Sequence, residues 1–90
     1  MKASQKDYQF TLILKNVDEN TPDLEDSLYE AGCDDTLINF RNGTVYLDFD
    51  RKANSFDDAV MSTIRDVESA TIKPEVVSVV SEGVVRELPK

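Results

Sequence analysis

The sequence predicts an α+β domain in which two β-α-β units follow one another, in the order β-α-β-β-α-β. Three observations carry that prediction. Four separate runs read as strands, and the first and third show the apolar alternation of a half-buried one. Two stretches with helical spacing separate the first run from the second and the third from the fourth. Between the second and third runs stands Asn42-Gly43, the dipeptide favoured where a two-residue hairpin turn needs positive φ. A chain of 90 residues accommodates one domain of this kind.

The first strand runs from Tyr8, with Phe10, Leu12 and Leu14 alternating against Gln9, Thr11 and Ile13. Thr21 as N-cap and Pro22 at the first helical position predict a helix whose apolar side is Leu24, Leu28 and Ala31, stopping at Gly32. Thr36 to Phe40 is the second strand. In the third, Val45, Leu47 and Phe49 take one face, and Thr44, Tyr46, Asp48 and Asp50 the other. Ser55 opens a second helix with the stripe Phe56, Ala59, Val60, Ile64 and Val67, and Glu75 to Val80 is the last strand. Split β-α-β pairs of this type give a four-stranded antiparallel sheet with both helices on one face, the ferredoxin-like sandwich. The expected organisation is a flexible N-terminus over 1–7, one domain over 8–80, and a tail or short extra strand over 81–90. The expected core is Phe10, Leu12, Leu14, Leu24, Leu28, Ile38, Phe40, Val45, Leu47, Phe49, Val60, Ile64 and Val67.

Charge is the strongest departure from an ordinary composition. Lys and Arg number 10 and Asp and Glu 18, for a net charge of −8. The excess is local: Asn16 to Asp35 holds eight acids and no base, and the rest of the chain is balanced. Nucleic-acid affinity depends largely on cations that neutralise phosphates, so direct binding to nucleic acid or to an anionic membrane is not expected. A basic protein partner is, because complementary charge speeds such an encounter. Surplus acid also keeps a small domain soluble. The apolar runs are too short for a membrane helix, and no secretory signal follows Met1. The single Cys33 fits a reducing, cytoplasmic compartment.

Catalytic chemistry finds little support. With no histidine the chain lacks the commonest general base and metal ligand. Cys33 lies beside Asp34 and Asp35, which oppose thiolate formation. Asp48-x-Asp50 puts two carboxylates on one side of a strand, as two-metal enzymes require, but no nucleotide motif accompanies them. Asp18 to Tyr29 lacks the glycine and closing glutamate of a calcium loop. An RNA-binding sheet would show several aromatics where this one has Tyr46 alone. Acylphosphatases, which share the predicted fold, bind phosphate through an arginine after the first strand, and the loop here is acidic. The expectation is no enzyme, no cofactor and no metal. Ile13, Tyr46 and Asp48 are expected on the helix-free face of the sheet, the surface expected to form a homodimer.

Glu30-Ala31-Gly32-Cys33-Asp34-Asp35, Leu47-Asp48-Phe49-Asp50-Arg51 and the helix Ala59-Val60-x-Ser62-x-Ile64-x-Asp66-Val67 together resemble a family of small bacterial α/β domains. Its members carry "EAGCDD", are often followed by a helix-turn-helix, and are commonly labelled DNA-binding, transcriptional-regulator-like or antitoxin-like. The resemblance covers roughly residues 8–80 and supplies no catalytic residues. The ten residues after Val80 are too few for a helix-turn-helix. The resemblance and the charge together imply a non-catalytic regulatory or antitoxin-like module. Its acidic residues Asp23, Asp26, Glu30, Asp34 and Asp35 would meet a basic partner, such as a toxin. The alternative is a dimerisation domain of a DNA-binding regulator.

Overall fold

Alternation of apolar and polar residues lays down a single antiparallel sheet. The computed structural model describes residues 5–33 and 35–88. Along the chain come β1 (Lys6–Lys15), α1 (Leu24–Glu30), β2 (Thr36–Arg41), β3 (Thr44–Ala53), α2 (Phe56–Glu68), β4 (Glu75–Ser81) and β5 (Val84–Glu87). The strands lie in the order β2-β3-β1-β4-β5, every neighbouring pair antiparallel.

Residues paired across an antiparallel ladder share a face. Phe10 opposes Phe49, Leu12 opposes Leu47 and Leu14 opposes Val45, all buried on one face. Leu24 and Leu28 of α1 and Ala59, Val60 and Val67 of α2 join the same core, so both helices pack on that face. Thr11 opposes Asp48 and Ile13 opposes Tyr46 on the other, helix-free face.

The four-stranded ferredoxin-like sandwich expected from the sequence is therefore corrected: the sheet has five strands. Val84–Glu87 turns back and pairs with β4, Val85 opposite Val80 and Glu87 opposite Ser78. Glu82 (φ 53°) and Gly83 (φ 81°) make the turn, both in the left-handed region that a tight hairpin requires. Asn42 (φ 51°) and Gly43 (φ 80°) do the same between β2 and β3. At the other end, Lys6 and Asp7 already pair with Ala53 and Lys52, so the first strand begins before Tyr8.

The start of α1 also differs from expectation. The Thr21 hydroxyl accepts from the Asp18 amide at 2.9 Å, and Asp18 accepts from the Asn20 amide at 2.8 Å. Thr21 thus closes a turn behind it rather than capping the helix ahead. Asp23 takes the cap position at φ 60° with no side-chain cap bond. In α2 the expectation and the structure agree, because Ser55 Oγ accepts from the Asp58 amide at 3.1 Å.

The core runs deeper at the β4 side and shallower at β2 than the alternation suggested. Val17, Cys33, Ala59, Ala70, Val76 and Val79 are buried, whereas Ile38 is only partly covered and Phe40 is 40% exposed. Phe40 is left open because β2 is an edge strand. Leu12→Ala, on the central strand, should cost about 2–5 kcal/mol in urea unfolding. Phe40→Ala should cost less than about 1.5 kcal/mol, since it forms no enclosed cavity. Equal costs would contradict this placement of the core.

Candidate functional site

The acidic segment is divided by one residue, Arg51. Arg51 continues the inward phase of β3 beyond Phe49, which directs a cation toward the helices. Its guanidinium meets Asp35 in a two-pronged pair, Nε to Oδ2 and Nη2 to Oδ1, each 3.2 Å. Nη1 donates to Asp66 Oδ2 at 3.0 Å and reaches Ser62 Oγ at 3.5 Å. The guanidinium carbon lies 5.6 Å from the centre of the Phe49 ring. Burial alone would lower the Arg51 pKa, but the hydrogen bonds and charges of Asp35 and Asp66 reverse that and leave it raised. A pKa raised on folding stabilises the fold fully below arginine's ordinary range and loses that contribution only at higher pH. Arg51 therefore contributes the same stabilisation throughout the working pH range.

Asp35 stays exposed, but both its oxygens are held by Arg51. Asp34 lies outside the described residues. Asp23, Asp26 and Glu30 remain at or along α1, all exposed, with Glu25 beside them. Among the described residues the ion pairs are those of Arg51 with Asp35 and Asp66, and of Lys52 with Asp7. None involves the α1 acids. Their charge has no ion-pair partner among the described residues, and the last turn of the helix carries no base. α1 is positioned from beneath by Leu24 and Leu28 in the core. Ser27 Oγ anchors it further, lying 3.0 Å from Thr71 Oγ1 and accepting from the Ile72 amide at 3.4 Å.

The helix-free face brings Ile13 and Tyr46 together as direct cross-strand neighbours. Arg41 lies over the Tyr46 ring at 5.4 Å. Asp48 sits in the next row, where Thr11 Oγ1 donates to Oδ1 at 2.5 Å and Asn39 Nδ2 to Oδ2 at 2.9 Å. Asp48 thus stitches β1, β3 and β2 together across that face. Asp50 shares the face but is exposed and opposes Gln9. Cys33 is buried, at 2% exposure, and its amide donates to the Leu28 carbonyl at 3.0 Å. No group of three or more His, Cys, Asp or Glu among the described residues is placed to hold a metal ion. No helix among them is long and apolar enough to cross a membrane.

Two features escaped the sequence reading. The Arg51–Asp35–Asp66 cluster was signalled by a cation in the inward phase of a strand, a position that demands a buried partner. Leu37, 71% exposed, had no signal: it looks like any strand residue until the edge position of β2 is known. No family model, curated protein or solved structure matches the chain.

Asp48→Ala should lower stability by about 1–2 kcal/mol, because Thr11 and Asn39 lose their shared acceptor. Asp50→Ala should stay within about 0.5 kcal/mol of the parent. Urea unfolding of the two variants checks this, and a larger loss at Asp50 would refute the assignment.

Proposed function

We propose that the chain is a non-catalytic, cytoplasmic protein-binding module of regulatory or antitoxin-like type. It engages a basic partner surface through the acids of α1. The observation that carries this reading is the contrast within the acidic segment. Asp35 is neutralised by Arg51, whereas Asp23 at the cap of α1 and Asp26 and Glu30 along it have no ion pair among the described residues. Uncompensated charge on a helix fixed to a rigid core creates a directional field, which steers a cationic partner and fixes its approach.

The partner is sought by capture from native lysate on the immobilised chain, with nuclease present. A stoichiometric basic protein that dissociates as salt rises is the expected result. Recovery only of nucleic acid-linked proteins, lost on nuclease treatment, would overturn the proposal. With the partner in hand, Asp26→Lys combined with Glu30→Lys should weaken binding by roughly tenfold or more and flatten its salt dependence. Both side chains are exposed, so unfolding of the double variant should be nearly unchanged. Undiminished affinity would refute the role of α1.

A further inference from the structure

The sheet ends in two edges of unlike character. The β5 edge is four residues long and carries Arg86 and Glu87, charges of the type that discourage strand pairing. The β2 edge is six residues long, Thr-Leu-Ile-Asn-Phe-Arg, with no acid and no proline. Its ladder with β3 runs in unbroken register from Thr36 to Arg41. In a chain of net charge −8, its one charged residue is Arg41 at the strand end. Leu37 is 71% and Phe40 40% exposed along it. A regular edge whose one charge stands at its end leaves a row of backbone donors and acceptors facing solvent, the template for adding another strand.

We infer that the outer edge of β2 is a strand-addition site for an extended segment of the partner, with lysine or arginine at alternate positions. This rests on the basic-partner reading and specifies its geometry. Alternate side chains of an added strand fall on opposite faces of the sheet. On the helix side they meet Ile38 and Phe40, which suit apolar residues. On the helix-free side they meet Leu37 and Asn39, while Arg41, the third residue on that side, is turned back over the Tyr46 ring. Beyond Leu37 lies a shallow groove of about 650 Å³, to which Val80, Asp48 and Asp50 also contribute. Asp50 has no ion pair among the described residues. A lysine or arginine fits that surface because its aliphatic stem covers Leu37 while its head turns to the carboxylates. A second copy fits less well: its β2 offers only Arg41 as a cation, and it brings a further charge of −8.

The test is an NMR titration of the full chain with a capped peptide of alternating lysine and valine. Two controls are the same peptide N-methylated at alternate residues and its glutamate–valine counterpart. The expected result is shifted, exchange-protected amides across Thr36–Arg41. The N-methylated peptide should lose this response, and the glutamate peptide should bind at least about tenfold more weakly. Leu37→Lys in the chain should abolish it with circular dichroism unchanged, since that side chain is mostly exposed and a second cation there repels the incoming one. Shifts confined to α1 would overturn strand addition and leave the acidic-helix reading standing. A β2 response equal for lysine and glutamate peptides would overturn the basic partner instead. Protected β2 amides in the peptide-free chain, with a doubled mass in sedimentation, would overturn the inference in favour of a second copy.

Discussion

A single guanidinium joins parts of the molecule that the sheet alone would leave loose. Arg51 leaves β3 toward the helices and binds Asp35 before β2 and Asp66 on α2. The loop that returns the chain from α1 to the edge of the sheet is thereby tied to both β3 and α2. With its side chain only 15% exposed, Arg51 is desolvated, and two carboxylates and the Phe49 ring supply what water would have provided. The partners keep 32% and 38% of their side-chain exposure, so the cluster sits at the margin of the core. There the desolvation cost is lower than in the deep core.

This clamp gives meaning to the distribution of acid. In sequence, Asp35 belongs to the same acid-rich segment as Asp26 and Glu30. In the fold it belongs to the core margin, whereas the others belong to the surface. α1 is only seven residues long, too short to be stable alone, and depends on Leu24, Leu28 and Ser27 for its place. A short helix seated on the core thus bears exposed carboxylates beside a sheet whose β2 edge is open. In the proposed reading the two surfaces would have different physical tasks: the helix would act at a distance through its field, and the edge at contact through backbone hydrogen bonds.

The strands were legible because period-two alternation is set by burial on one face, and β1 and β3 show it cleanly. The hairpin at Asn42-Gly43 was legible because positive φ is chemically demanding. The second hairpin was legible only as one of two readings of 81–90, a tail or a short extra strand: Glu82 carries positive φ without being a residue type that prefers it, and β5 is exposed throughout, so no alternation decides between them. The cap of α1 was misread because Thr21 had a nearer amide to accept from. Of the candidate site, the cross-strand meeting of Ile13 and Tyr46 follows from register, which alternation constrains. The capture of Asp35 by Arg51 required knowing which elements pack side by side, and that is a tertiary fact.

The measurement that bears most directly on this account is a double-mutant cycle in urea unfolding, with Arg51→Ala, Asp35→Ala and both together. A clamp of the observed geometry predicts a coupling of about 1–2 kcal/mol that persists in high salt, because the pair is hydrogen-bonded and partly desolvated. A coupling near zero, or one that vanishes on adding salt, would show that Asp35 is a surface acid like those of α1. The division of the acidic segment would then be wrong.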